Sequence, residues 1–255
     1  ANGGESLLVT RVVTGSFTSA FTSGSAAGPN ESGIMANAWQ DNAATQYQKQ
    51  SFVLKTISEG ELMNSFSPVT ANGSLPSGSV DNLRWEIATT NTSSGQFSLL
   101  IRRGNDITNQ KAILETYNNL SMDPTAPNYI GKVIGDTYFT VESDGPDYYV
   151  KTNGNYPRRS AYVYVESVGT PTPQYFNNDG SIKAQFTGSL PLVGSGSFAA
   201  ATGKNIENGD AKFNENITAA NVQGIAPAGY TQTIALLNNK DDYQFNVISA
   251  PGLNG

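Results

Sequence analysis

Between Leu83 and Arg103 the chain alternates apolar and polar residues with a period of two, and it does so twice. Leu83, Trp85 and Ile87 alternate with Arg84 and Glu86, and Phe97, Leu99 and Ile101 alternate with Gln96, Ser98 and Arg102. Residues two apart share one face of a strand, whereas a helix brings together residues three or four apart. The stretch between the runs, Thr89 to Gly95, consists of Thr, Asn, Ser and Gly, which favour turns. The spacing therefore predicts an antiparallel hairpin with one wet face, and Trp85 belongs to its buried side.

Further strands are expected at Ser51 to Ile57, Tyr138 to Glu142, Tyr148 to Lys151 and Ser160 to Val168. In the last, Ala161, Val163 and Val165 oppose Tyr162, Tyr164 and Glu166. The turn Ser143-Asp144-Gly145-Pro146 separates the two middle runs. Lys111 to Leu120 fits either a helical face or a strand. Asn128 to Gly135 reads as an N-capped short helix ended by glycine. The assigned fold class is α+β, mostly β: an antiparallel β-sandwich body with a partial α/β portion.

The expected organisation has four parts. Residues 1–13 carry the apolar run Ser6 to Val13, suited to a strand covered on both faces and expected to pair with a sheet in 171–255. Residues 14–50 form a loop-rich insertion, anchored at most by Phe17, Phe21, Ile34, Met35, Trp39 and Tyr47. Residues 51–170 form the sandwich, and Thr170-Pro171-Thr172-Pro173 marks its border, because two prolines stop both helix and central strand. Residues 171–255 hold a small-residue loop (Gly188 to Gly203), a short helix at Asn208 to Asn216, a helix at Tyr230 to Asn239 with Ile234 and Leu237 on one side, and a strand at Tyr243 to Ser249. That last pair is half of a βαβ unit. Both ends look cut, so the expectation is a middle fragment.

Composition narrows the chemistry. The 255 residues include no Cys and no His, and 15 Lys plus Arg against 21 Asp plus Glu leave a net charge of −6. Without Cys there are no disulfides, thiolate nucleophiles or Cys-ligated zinc. Without His the usual general base is missing and no Ser-His-Asp triad can form. The acidic balance argues against a nucleic-acid footprint, and no apolar run approaches the ~18 residues of a membrane span. Charged residues are 14% of the chain, so Ser, Thr, Asn and Gln supply most of its polarity.

Each remaining chemical motif has a plainer reading. Glu59 and Glu61 flank Gly60, but a glycosidase needs carboxylates ~5–9 Å apart across a cleft, so this is a solvated turn. Gly194-Ser195-Gly196-Ser197 lacks the lysine and spacing of a phosphate loop and reads as a flexible linker. Arg102-Arg103 and Arg158-Arg159 read as solvated strand ends. The sequons at Asn30, Asn72, Asn91, Asn119 and Asn216 follow from the abundance of Asn, Ser and Thr. Trp39 and Trp85 read as core or interface packing. No catalytic residue, metal ligand or cofactor is assigned.

The segment Glu115 to Asp136, ETYNNLSMDPTAPNYIGKVIGD, resembles the tail sheath proteins of contractile-tailed phages, especially the T4-like group. NGGESLLVTRV at the start, ISEGELMN at Ile57 to Asn64, Arg84 to Arg103 and NNKDDYQFNVISAPG at Asn238 to Gly252 resemble family pieces in the same order. The resemblance implies a structural subunit of a virion, assembled in host cytoplasm as stacked hexameric rings around a tail tube, whose contraction drives the tube through the host envelope. It also implies a β-sandwich portion and a non-catalytic, subtilisin-like α/β portion, with other sheath subunits and the tube as partners. The isolated piece is expected to be monomeric in dilute solution. The rival reading is a carbohydrate- or surface-binding β-sandwich module, for which Tyr162 and Tyr164 would supply an exposed aromatic platform. A hydrolase resting on Glu59 and Glu61 is the third.

Overall fold

The alternating runs lie on strands that face one another across a shared apolar interior. The computed structural model describes residues 18–25, 50–59, 83–104, 106, 109–198, 227–245 and 247–249. In chain order the strands are β1 (Ser19–Ser25), β2 (Gln50–Glu59), β3 (Leu83–Asn91), β4 (Gln96–Arg103), β5 (Ile113–Ser121), β6 (Tyr138–Asp144), β7 (Asp147–Asn153), β8 (Val163–Ser167) and β9 (Gly194–Ser197). The helices are α1 (Ile130–Ile134) and α2 (Pro227–Leu237). The strands form antiparallel sheets in the orders β1-β2-β8, β5-β4-β3-β9 and β6-β7. The fold is α+β and mostly β, as the alternation predicts.

The hairpin β3–β4 forms where expected, with Trp85 opposite Ile101 and Ile87 opposite Leu99. Strand β3 runs on through Asn91, so the turn is only Thr92 to Gly95, and the Asn91 side-chain oxygen accepts from the Ser93 amide at 2.9 Å. Leu83, Trp85, Ile87, Phe97, Leu99 and Ile101 are all buried, and Trp85 is 3% exposed. The β1-β2-β8 sheet covers them. Phe52 of β2 stacks on Phe97 of β4 with centroids 5.6 Å apart, and Leu54, Val163 and Val165 join the same core. Each such side chain contributes about 1.5–3 kcal/mol on burial. The ambiguous run at Lys111 to Leu120 is a strand, because β4 offers it a ladder: Leu99 pairs with Tyr117 and Ile101 with Glu115. Pairing outside the segment decided what periodicity left open.

Several expectations need correction. Ser19–Ser25, inside the expected loop-rich insertion, is a strand against β2 with Ala20 fully buried. Helix α1 begins after Tyr129, with no side-chain cap; Asn128 instead donates its side-chain amide to the Asn119 carbonyl. Gly135 does end that helix, at φ +99°. Ile234 of α2 is 65% exposed and faces no core. Among the described residues of Tyr243 to Ser249 there is no strand: the backbone has no ladder partner, and Val247 is 83% exposed. Ser6 to Val13, Asn208 to Asn216 and Trp39 lie outside the described residues.

The Gly-Ser run at Gly194–Ser197 is neither a phosphate loop nor a linker. It is β9, paired with β3 so that Gly196 lies opposite Trp85. A Cβ on Gly196 would fall 2.7 Å from Trp85 Cζ2, so only glycine lets this backbone close over the indole. Tyr175, Phe186, Leu190 and Phe198 belong to the same core as β2 and β3. The prolines at Pro171 and Pro173 therefore mark a crossing over one core, not a border between two, as far as Phe198.

Two substitutions test this packing. Trp85→Ala should cost about 3–5 kcal/mol of unfolding free energy, the range for core aromatic truncation. Gly196→Val should cost about 1–3 kcal/mol by overpacking and should red-shift the Trp85 emission as β9 lifts away. Urea unfolding followed by circular dichroism reads both stabilities, with fluorescence added for Gly196→Val, and an unchanged midpoint for either would contradict the packing.

Candidate interaction surface

Arg102, read as part of a solvated strand end, is 2% exposed. Its Nε and Nη2 donate to Asp106 at 2.6 and 2.8 Å, and its Nη1 donates to Glu86 at 2.7 Å. Asp106 also accepts from the Ala112 amide at 3.0 Å, and Glu86 accepts from Lys111 at 2.6 Å. The first cause of the raised Arg102 pKa is the hydrogen bonding to Asp106. This cluster fastens the β4–β5 connection to the polar side of the sheet. Together with Leu100, 9% exposed, it makes that side drier than a half-wet hairpin requires.

A second cluster joins β5 to the segment before β8. Glu115 accepts from Ser160 Oγ at 2.6 Å, from Tyr117 at 2.8 Å and from the Ala161 amide at 2.8 Å. Ser160 Oγ in turn accepts from the Tyr162 and Val163 amides. A serine beside a carboxylate invites a nucleophile reading, but Ser160 is 5% exposed and its oxygen is held by two backbone amides. The cluster is a clamp. Sequence reasoning missed both clusters because their members are up to 46 residues apart.

The same use of polar groups runs through Glu115 to Asp136. Asp123 accepts from the Thr125 amide and hydroxyl and from the Gln174 amide. Burial pushes its carboxyl up, but those hydrogen bonds outweigh burial and hold it below the usual carboxylate range. That leaves little for a ligand in the adjoining cleft of about 310 Å³ lined by Gln96, Asp123, Gln174 and Tyr175. Lys132 donates to the Pro124 and Ala126 carbonyls, and Asp136 accepts from the Asn155 and Tyr156 amides.

The other residues singled out in the sequence do not converge. Glu59 is exposed at the end of β2, and Glu61 lies outside the described residues. Asn91 and Asn119 are exposed; Asn30, Asn72 and Asn216 lie outside the described residues. Arg158 and Arg159 are exposed, and Arg158 sits 5.9 Å from the centre of the Phe139 ring. The proposed Tyr162–Tyr164 platform is not exposed. Tyr164 is 8% exposed and stacks on Tyr138 with centroids 5.4 Å apart, and Tyr162 packs against the core. Among the described residues, no group of three or more Asp and Glu is placed to hold a metal ion, and no helix is long and apolar enough to cross a membrane.

Among the described residues, one exposed apolar surface is a face of β6–β7. The turn is Gly145-Pro146, with Gly145 at φ +64° and the proline ring fixing the next φ, which suits a tight primed turn. The register then sorts side chains by face. Tyr138, Thr140, Glu142, Tyr149, Lys151 and Asn153 share one face, tied by Lys151 to Glu142 at 3.0 Å and Asn153 to Thr140 at 3.0 Å. Phe139, Val141, Ser143, Tyr148, Val150 and Thr152 share the other, where Phe139 is 57% and Val141 61% exposed. A two-stranded hairpin is marginal in water unless a face is packed, and this largely apolar face, with the Arg158 guanidinium over Phe139, is a candidate for contact with another molecule. No family model, curated protein or solved structure matches this chain.

Two measurements test this account of the polar groups. Asp106→Ala leaves Arg102 buried without its main partner and should cost about 3–5 kcal/mol, whereas the double change Arg102→Met with Asp106→Leu should recover most of that loss. A single variant as stable as wild type in urea would contradict the buried pairing. For Tyr164, burial first and then the charge of Glu166 push the phenol up to about 12. The fold favours the neutral phenol, so its contribution is complete below pH ~10, the unfolded value, and is lost as pH rises through about 12. The difference between wild-type and Tyr164→Phe absorbance titrations should show that late phenolate; ionisation near pH 10 would place Tyr164 in solvent.

Proposed function

We propose that this chain is a non-catalytic structural subunit of a larger assembly, specifically of a contractile phage tail sheath built around a tail tube. The supporting observation is the use made of Glu115 to Asp136, the segment that carries the resemblance. Glu115, Asp123 and Asp136 accept from backbone amides elsewhere in the fold, and Asn128 and Lys132 donate to carbonyls within the segment itself. A segment whose distinctive polar residues hold the architecture suits a protein whose function is its shape. In this reading the partners are other copies and the tube, and the exposed apolar face of β6–β7 is one contact surface.

The rival reading, a carbohydrate-binding module, is the weaker one. Sugar platforms need an exposed ring with polar groups beside it, and Tyr164 is buried. Electron microscopy of the purified protein tests the proposal. Six-fold rings or tubes are expected, and Val141→Asp should abolish or weaken them while leaving the melting transition within about 0.5 kcal/mol of wild type, as for exposed sites generally. Dispersed particles that bind glycans would overturn the proposal.

A further inference from the structure

Tyr175 differs from other tyrosines drawn into the fold in what its hydroxyl meets. Tyr117 donates to Glu115 at 2.8 Å, and Tyr164 is hydrogen-bonded with Ser19. Tyr175 is 7% exposed, yet its hydroxyl has no hydrogen-bond partner among the described residues, and burial alone pushes its phenol up. A buried phenol ordinarily finds a partner. Among the described residues, the sealed and unpartnered side-chain polar atoms are Trp85 Nε1, Thr172 Oγ1 and Ser189 Oγ. The Tyr175 hydroxyl is not one of them, so it opens to the surface. The ring itself is held in place. It stacks on Phe186 with centroids 6.1 Å apart, meets Phe176 edge-on at 4.9 Å, and lies against Gly95, where a Cβ would fall 2.8 Å from the ring.

Two clefts share Tyr175 as a wall. The one beside Asp123 has its carboxylate already engaged by Thr125 and Gln174. The other, of about 390 Å³, is mostly apolar, with Thr90, Leu190, Pro191 and Val193 among its walls and no charged side chain. Small-molecule sites are commonly about 300–1,000 Å³, apolar, and shaped in advance, with a few polar groups that orient the ligand. This cleft is shaped in advance. Thr90 Oγ1 donates to the Pro191 carbonyl at 2.6 Å, and Ser51 Oγ donates to the Ser189 carbonyl at 3.2 Å. The wall segment is thereby tied to both β3 and β2. Leu190 is 4% exposed, and Val193, 62% exposed, stands at the rim.

We propose that this cleft binds a small uncharged molecule with an apolar body and one carbonyl group, which accepts from the Tyr175 hydroxyl. The lone pairs of a phenol are drawn into its ring, so it donates better than it accepts. A charged ligand would lose its hydration and find no counter-charge on these walls. The inference is independent of the assembly reading, since it needs no second copy.

Acetophenone is a suitable probe, titrated into the chain while backbone amide NMR shifts are followed. Its ~9 non-hydrogen atoms allow a Kd of about 1–10 mM. Shifts should centre on Thr90, Tyr175, Leu190 and Val193. Tyr175→Phe keeps the ring and removes the donor, so it should weaken acetophenone binding about fivefold. α-Methylstyrene keeps the shape of the probe but replaces the carbonyl oxygen with a methylene group. Its initial titration slope should be the same for wild type and Tyr175→Phe. Val193→Asp, at the exposed rim, should weaken both probes, and circular dichroism melting checks that both variants fold. Absent shifts, or shifts centred on Gln96 and Gln174, overturn the choice of cleft. Unchanged acetophenone binding by Tyr175→Phe, or equal weakening of both probes, overturns the carbonyl contact.

Discussion

The contact between Phe52 and Phe97 is the joint on which the described fold depends. It brings the β1-β2-β8 sheet onto the β5-β4-β3-β9 sheet, and the remaining apolar residues fill in around it. A stacked aromatic pair adds about 0.5–1.5 kcal/mol to what burial already supplies. Its larger effect is geometric, because two rings 5.6 Å apart fix the distance between the sheets over a short span. Within its own sheet, the Trp85 indole needs room against the neighbouring strand β9, and Gly196 provides it.

Polar groups do the complementary work of fastening connections. Arg102 with Asp106 and Glu86 holds the β4–β5 link, and Glu115 with Ser160 holds the approach to β8. Buried polar groups need partners, and here the partners come from connections that would otherwise be free to move. Few polar side chains in these clusters remain available for chemistry.

The β6–β7 hairpin is the exception to this economy of contacts. One face is tied by Glu142 and Lys151 and anchored through Tyr138 on Tyr164, while the other leaves Phe139 and Val141 in solvent.

The sequence alone determined the strands whose apolar residues repeat every second position. β3, β4 and the β6–β7 turn were legible because alternation and turn chemistry are local properties. The same local rules could not choose between helix and strand at Ile113–Ser121, which became β5 only because β4 lay beside it. They misjudged Arg102, Tyr164 and the Gly-Ser run at Gly194–Ser197 for one reason. The partners Asp106, Tyr138 and Trp85 determine burial, and the last two lie 26 and about 110 residues away along the chain. Local periodicity sets which residues share a face; only tertiary packing decides whether that face meets water, a charge or another sheet, because burial is a property of the neighbour and not of the segment.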